Sequence, residues 1–248
     1  RYNLHQYDIA GQYYDSVITA FPSAYYRFDA SLEIAKLMIV EGKLDSAQAA
    51  FAALQNDRLL QENREKIDYS LALILFYRLR YDEANTAFRK IMTQYPRGYY
   101  LNDALINSLI ISENSGAAVA ALDLYSGALF YEARLMPDSV EKSLKAIIDM
   151  GESPLVGQAG YKLAVFYLNQ TDTTGSLEII SRMEKDFSGN YFYPYCLKLK
   201  GDIFAESPGH VREAADIYKS ILEKYGNYPF IGEVRKQLQE LEKYRLPG

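Results

Sequence analysis

Few side chains in this sequence have the type and spacing that catalysis or metal binding requires. The 248 residues include two histidines, His5 and His210, and one cysteine, Cys196. The histidines stand near opposite ends of the chain, so we do not expect them to share a metal ion or to act as a catalytic pair. Cys196 lies among aromatic residues in YFYPYCLKL, where a cysteine usually behaves as a small buried apolar side chain. The sequence therefore predicts no catalytic residue, no metal site and no cofactor.

Acidic residues and catalytic motifs support the same expectation. Asp82 and Glu83 stand at a predicted helix start, where the helix dipole stabilises negative charge. The nucleophile-elbow, HExxH, dinucleotide-binding and phosphate-loop patterns do not occur in the sequence. We therefore predict a protein that is not an enzyme.

The net charge argues against a nucleic-acid partner, and the length of the apolar runs argues against a membrane-spanning segment. Lysine and arginine total 27 against 32 aspartates and glutamates, which gives a net charge of −5 without a basic cluster. A nucleic-acid partner is therefore not expected. The longest apolar runs, such as LALILF at 71–76, are much shorter than the roughly 20 residues of a membrane-spanning helix. This segment is therefore not expected to span a membrane.

One pair of residue types recurs along the chain, and its first three occurrences are 37 residues apart. A small residue is followed four positions later by an aromatic residue, so both lie on one face of a helix, and a second helix can approach closely over the small residue. Each such helix is preceded by another with apolar residues at i, i+3, i+4 and i+7. The sequence therefore predicts antiparallel helix pairs. The recurring residues are Ala10 and Tyr14, Ala47 and Phe51, Ala84 and Phe88, and Ala214 and Tyr218.

A second motif marks the boundary between helix pairs. FPSAYYRFDA at 21–30 recurs as YPRGYYLNDA at 95–104, which is 74 residues later. Proline cannot continue the preceding helix, and an aspartate suits the start of the next one. We interpret this motif as a seam between pairs rather than as a ligand-binding loop used twice.

The periodicity predicts an all-α protein of about thirteen helices. Within 99–134 two first helices follow each other, which predicts an irregular unit and a change in the direction of the array. The apolar stripe of helix 229–244 predicts a cap, and a weak homo-oligomer formed through this stripe is the alternative. The predicted helices are 1–20, 24–41, 44–56, 61–79, 82–94, 99–113, 116–134, 138–150, 155–170, 175–187, 192–206, 210–224 and 229–244.

The repeat resembles the tetratricopeptide repeat, and the match is best at Leu71, Ala72, Leu75, Tyr81, Ala84, Phe88 and Pro96. The tryptophan that this family often has in its first helix is absent, so the resemblance is to a divergent branch. It implies a right-handed α-solenoid that extends as a single domain over 1–248. The seam wording is similar to that of bacterial cell-envelope members of the outer-membrane assembly lipoprotein and Tol-Pal-associated types, which implies a periplasmic or outer-membrane location. Because Arg1 falls in the middle of a repeat, we expect the chain to be a fragment of a longer protein.

The partner-binding residues are predicted from the phase of the first helices, which line the concave groove of such an array. Tyr69, Tyr125 and Tyr161 occupy the same place in three helices and predict an aromatic ladder, although packing between helices is an alternative role for them. Replacing Tyr69 and Tyr161 by alanine is expected to weaken partner binding with little loss of stability. The predicted groove residues are Lys36, Tyr69, Phe76, Tyr125, Tyr161, Tyr195, Lys198 and Asp202.

The leading functional hypothesis is a non-enzymatic scaffold that binds a protein or peptide segment in this groove. Two alternatives stay open. In the first, the array is a sensor or docking region of a larger enzyme or signalling protein. In the second, its tyrosines bind an envelope glycan such as peptidoglycan.

Overall fold

The regular elements of the chain are helices. The computed structural model describes residues 6–21, 23–55, 63–116 and 118–245, so His5 lies outside the described residues. Within these ranges the chain forms thirteen α-helices and no strand, as predicted. They are α1 (Tyr7–Ala20), α2 (Ala24–Val40), α3 (Leu44–Gln55), α4 (Arg64–Tyr77), α5 (Tyr81–Gln94), α6 (Leu101–Asn114), α7 (Val119–Ala133), α8 (Pro137–Met150), α9 (Val156–Asn169), α10 (Thr173–Asp186), α11 (Tyr193–Glu206), α12 (Val211–Lys224) and α13 (Ile231–Arg245).

Contacts divide the chain into two compact units, Arg1–Ser143 and Leu144–Gly248, and α8 spans the boundary between them. In unit 1, consecutive helices from α1 to α6 contact one another, and α7 contacts α4 and α6. In unit 2, consecutive helices from α9 to α13 contact one another, and α11 also contacts α9. Each unit is therefore an array of packed helix pairs, as the sequence periodicity predicts.

The predicted pairs of small and large residues form the centre of the packing. In α3 and α5, both members of the pair are fully buried, and α12 repeats this arrangement. In α10 the same two places hold Ser176 and Ile180, which are also fully buried. The small side chain lets a neighbouring helix approach, and the large one fills the adjacent space. The pairs in α3, α5 and α12 are Ala47 and Phe51, Ala84 and Phe88, and Ala214 and Tyr218.

Four turns share one hydrogen-bond pattern. Each contains a residue whose φ lies between 56° and 79°, in the left-handed region. The N–H of this residue donates to the carbonyl three positions earlier, and the next N–H donates to the carbonyl five positions earlier. This is the Schellman motif, which satisfies the last carbonyls of a helix and reverses the chain. The four residues are Gly42, Leu79, Leu135 and Thr171, and they follow α2, α4, α7 and α9.

The spacing of these turns shows where the regular alternation of helices is interrupted. The spacings are 37, 56 and 36 residues, and the long interval contains one additional helix, α6. α7 ends in the same turn as α2, α4 and α9, so its local geometry is that of a first helix. A change in the direction of the array at this point, and one superhelix over the whole chain, stay predictions.

The last helix packs its apolar stripe against α12. Val234 and Leu238 belong to the buried cluster that contains Tyr218 and Ile221 of α12. Most other positions of α13 are exposed and charged or polar. This is the arrangement expected of a helix that covers the open face of a pair.

The glycine at the contact between α11 and α12 offers a test of this packing. We expect Gly201→Ala to lower the free energy of unfolding by about 1–3 kcal/mol, because a methyl group overpacks the contact. A Cβ at Gly201 would lie 2.5 Å from Cε1 of the fully buried Tyr218 ring. Urea titration measures the change.

Gly11→Ala in α1 is the control, because apart from its chain neighbours and the backbone of its own helix no atom of the described residues lies within 4 Å of its Cβ position. It should raise stability by about 0.5–1 kcal/mol through helix propensity alone. Equal effects of the two substitutions would contradict close packing at Gly201.

Candidate functional site

The seams repeat one backbone geometry in both units. An aromatic residue ends the preceding helix, and its carbonyl accepts a hydrogen bond from the N–H three residues later. These bonds join Tyr95 to Gly98 and Phe187 to Asn190 at 2.9 Å, and Tyr225 to Tyr228 at 2.8 Å. The seam at 95–104 therefore has the same turn as the chain after α10 and after α12.

A pair of aromatic rings follows three of the seam positions and leaves its first ring exposed. The rings of Tyr25 and Tyr26, of Tyr99 and Tyr100, and of Tyr191 and Phe192 lie 5.7, 5.0 and 5.5 Å apart in edge-to-face geometry. This arrangement is favourable for aromatic pairs. The first rings, of Tyr25, Tyr99 and Tyr191, are 60%, 84% and 69% exposed. These three rings therefore lie at the surface and are not part of the buried core.

In unit 1 the second ring of the seam pair packs on a predicted groove residue. Tyr100 stacks on Tyr69 with 4.5 Å between centroids, and Asn107 Nδ2 donates to the Tyr69 hydroxyl at 3.2 Å. Glu65 accepts hydrogen bonds from the N–H groups of Tyr99 and Tyr100 at 3.0 and 2.7 Å. Tyr69 is therefore a packed residue of the first-helix surface, and its removal is expected to affect stability.

Lys36 approaches the same surface from α2. It forms an ion pair with Glu33 on its own helix and is partly buried. Burial raises the pKa of the Tyr100 hydroxyl, and the Lys36 ammonium partly offsets that rise. Burial lowers the pKa of Lys66 on α4, and repulsion from Lys36 adds to the shift. Lys36, Lys66 and Tyr100 are therefore electrostatic neighbours in unit 1.

Two of the predicted groove residues are packing residues instead. Phe76 is fully buried and Tyr125 is buried, because α7 lies against the C-terminal half of α4. Ser126 Oγ donates to the Phe76 carbonyl at 2.8 Å, and the Tyr77 and Phe130 rings lie 5.2 Å apart. The prediction that Phe76 offers its side chain to a partner is wrong for this reason. Tyr125 packs in the core and also forms part of the wall of a pocket.

That pocket lies between α4, α6 and α7 and has a volume of about 350 Å³. Tyr69, Tyr77 and Tyr125 line it together with the carboxylates of Asp103 and Glu132. Its other walls are mostly aliphatic, from Leu73, Ile106, Leu129 and Ala133. Because α7 packs against α4, this part of the predicted open groove is a pocket with α7 as one wall.

In unit 2 the predicted residues converge on Tyr195. Its ring contacts those of Tyr161, Tyr191, Tyr228 and Phe230 at centroid distances of 4.7–6.1 Å. Tyr191 and Phe230 are exposed, whereas Tyr228 is buried. We call these five rings the aromatic platform. Sequence reasoning did not include Tyr191, Tyr228 or Phe230, although the repeated seam motif contains their positions.

Lys198 and Asp202 form an ionic network beside the platform. Lys198 Nζ lies 2.7 Å from Asp202 Oδ2 and 2.8 Å from Glu233 Oε1. Asp202 Oδ1 accepts hydrogen bonds from the Tyr218 hydroxyl at 2.7 Å and from Gln237 Nε2 at 3.1 Å. Burial disfavours the charge on Lys198, but its bonds to Asp202 and Glu233 outweigh this effect and raise its pKa. The network therefore joins α11 to both α12 and α13.

A second pocket of about 350 Å³ opens over this network, and we call it the acidic pocket. Four carboxylates and one ammonium line it, together with a tyrosine, an amide and two apolar side chains. Its lining residues are Lys198, Asp202, Ala205, Glu206, Tyr218, Glu233, Gln237, Glu240 and Leu241. The structure thus brings Tyr161, Tyr195, Lys198 and Asp202 into one site.

Cys196 and His210 are not among the rings of the platform or the lining residues of the acidic pocket. Cys196 is fully buried, as predicted, and burial raises the pKa of its thiol to about 12, so the reactive thiolate is disfavoured. His210 is exposed and stacks on Phe204 at 5.2 Å. Among the described residues, no cluster of three or more His, Cys, Asp or Glu side chains fits a metal ion. No helix in these ranges is both long and apolar enough to cross a membrane.

The packing of Tyr69 leads to a prediction about stability. We expect Tyr69→Ala to lower the free energy of unfolding by about 3 kcal/mol, because it removes the ring that stacks on Tyr100. The control is Tyr99→Ala, whose ring is largely exposed and should change stability by about 0.5 kcal/mol or less. Chemical denaturation distinguishes the two. A negligible loss for Tyr69→Ala would show that this tyrosine is not part of the core.

The buried tyrosines predict a loss of stability at alkaline pH. Burial is the main cause that raises the pKa of Tyr95, Tyr193 and Tyr195 to about 12. In the unfolded chain tyrosine ionises near pH 10, so between about pH 10 and pH 12 the unfolded state releases protons that the folded state retains. The stabilisation that these three tyrosines give to the folded state is complete below about pH 10 and decreases above it.

Unfolding free energies across this pH range and tyrosinate absorbance of the folded protein measure this effect. Ionisation of all 23 tyrosines near pH 10 in the folded protein would contradict it.

Comparison with known proteins identifies one repeat. Residues 68–97 match the model of the tetratricopeptide repeat family. The solved structures include a tetratricopeptide repeat protein from Parabacteroides merdae ATCC 43184, with 12% identity and a TM-score of 0.39 over 96% of this chain and 94% of that one. No curated protein matches the chain. The match at 68–97 extends over most of α4, all of α5 and the beginning of the next seam, so this part of the chain is supported as a tetratricopeptide repeat.

Proposed function

We propose that this protein is a non-enzymatic scaffold that binds a segment of a partner protein on the aromatic platform of unit 2. Tetratricopeptide repeats generally mediate protein–protein interaction, and helix-pair arrays use extended surfaces for it. A location in the bacterial cell envelope remains a prediction from the seam wording alone.

The observation that carries the proposal is the exposure of Tyr191 and Phe230. Both rings contact Tyr195, whose neighbours include the buried Tyr228. Rigid aromatic rings over a packed support offer a large contact area at a low entropic cost, and tyrosine is enriched at protein interfaces. A surface of this kind is typical of an interaction hot spot.

The platform also has a polar edge. Burial and the charges of Asp202 and Glu233 raise the pKa of Tyr161, whereas Lys198 acts in the opposite direction. Tyr161 therefore lies in the field of the ionic network. A partner segment on the platform meets both apolar rings and charged groups, which supports selection of a particular sequence.

Replacement of the two exposed rings tests the proposal. Peptides selected from a displayed random library against the purified protein serve as probes. We expect Tyr191→Ala with Phe230→Ala to weaken the selected peptides about tenfold or more. The melting temperature should change little, because both rings are exposed. Calorimetric titration gives the dissociation constants.

Tyr13→Ala is the matched control, because this tyrosine is exposed on α1 of unit 1 and is not one of the five rings of the platform. It should leave binding unchanged. Equal binding by the double variant and the parent protein would sink the proposal. Binding of muropeptides that depends on Tyr191 and Phe230, without any binding of peptides, would favour the glycan alternative.

A further inference from the structure

The acidic pocket has a strong imbalance of charge. Asp202, Glu206, Glu233 and Glu240 contribute four carboxylates, and Lys198 contributes the one ammonium among the lining residues. Lys236 lies 3.9 Å from Glu240 on the surface of α13 and partly neutralises it. Lys198 pairs more closely with Asp202 and Glu233, so Glu206 is the pocket carboxylate without a cationic partner among the described residues.

The internal hydrogen bonds leave acceptors available at the pocket. Lys198 is bonded to Oε1 of Glu233, and Glu206 forms no hydrogen bond or ion pair with another described residue. Gln237 donates through Nε2 to Asp202, which fixes the orientation of its amide because a carboxylate only accepts. Gln237 Oε1 is then buried without a hydrogen-bond partner among the described residues. This oxygen has almost no accessible surface, so the acceptors available at the pocket are the Glu206 carboxylate and Oε2 of Glu233.

The neighbouring aromatic platform favours one type of cation. A guanidinium group presents five N–H donors in a plane and stacks on aromatic faces, whereas an ammonium is a compact and strongly hydrated charge. The carboxylates of Glu206 and Glu233 beside these rings therefore suit arginine better than lysine.

We propose that the acidic pocket holds an arginine side chain of the partner segment, next to an apolar or aromatic residue that rests on Tyr191 and Phe230. This proposal rests on the proposed function of the aromatic platform and specifies the partner as a basic, aromatic-rich protein segment. Charge complementarity with the pocket, rather than the net charge of the chain, determines the preference.

Three synthetic peptides test the proposal directly. They share one length and one apolar pattern, and their polar positions are all arginine, all glutamine or all glutamate. We expect the arginine peptide to bind at least about fivefold more tightly than the glutamine peptide, which corresponds to about 1 kcal/mol. The glutamate peptide should bind most weakly. Fluorescence anisotropy gives the three dissociation constants, and added salt should reduce the preference.

Matched charge variants assign the preference to the pocket. Glu206→Gln with Glu233→Gln should abolish most of the difference between the arginine and glutamine peptides. Glu178→Gln with Glu223→Gln removes the same charge from exposed sites of α10 and α12 and should retain it. An equal loss of preference in both double variants would show a general charge effect and overturn the proposal.

The outcomes also separate this proposal from the proposed function. Equal binding of the arginine and glutamine peptides, abolished by Tyr191→Ala with Phe230→Ala, overturns the arginine pocket and leaves the platform as a binding surface. Absence of binding for all three peptides overturns both.

Discussion

The close contact between the two helices of each pair is the constraint on which the rest of this structure depends. A small residue permits the approach, and a large residue four positions later fills the space, as in Ala84 with Phe88 and Ala214 with Tyr218. Because the large side chain is enclosed on all sides, the two helices have one relative position. The seams and turns then only have to connect pairs whose geometry is already determined, and two hydrogen-bond patterns recur among these connections.

The pairs and turns were predictable from the sequence because their signals are local. Small and large residues at a fixed spacing, and breakers between them, are enough to place helices such as Tyr81–Gln94 and Pro137–Met150 close to the predicted 82–94 and 138–150. The burial of Phe76 was not predictable in this way. Counting positions along α4 assumes that only regular neighbours cover it, whereas α7 packs against its end through Ser126.

The candidate site was only partly predictable for a related reason. Helix phase placed Tyr195, Lys198 and Asp202 on one face, and the structure brings them together. The contributions of Glu233 and Gln237 come from α13, and the bond from Gln237 to Asp202 joins residues 35 positions apart. No short motif contains such a contact. Tyr191 and Phe230 stand four and five residues after Phe187 and Tyr225, as Tyr99 and Tyr100 stand after Tyr95, but a repeated aromatic position does not by itself show which ring faces water.

The bonds of Asp202 make one carboxylate responsible for joining three helices. It accepts from Lys198 of α11, Tyr218 of α12 and Gln237 of α13, so any molecule that shifts one of these donors changes the cohesion of the end of unit 2. Occupancy of the pocket and the folding of these helices are therefore thermodynamically linked. Because α12 and α13 both contribute to the lining of the pocket, a bound ligand should increase the hydrogen-exchange protection of these two helices.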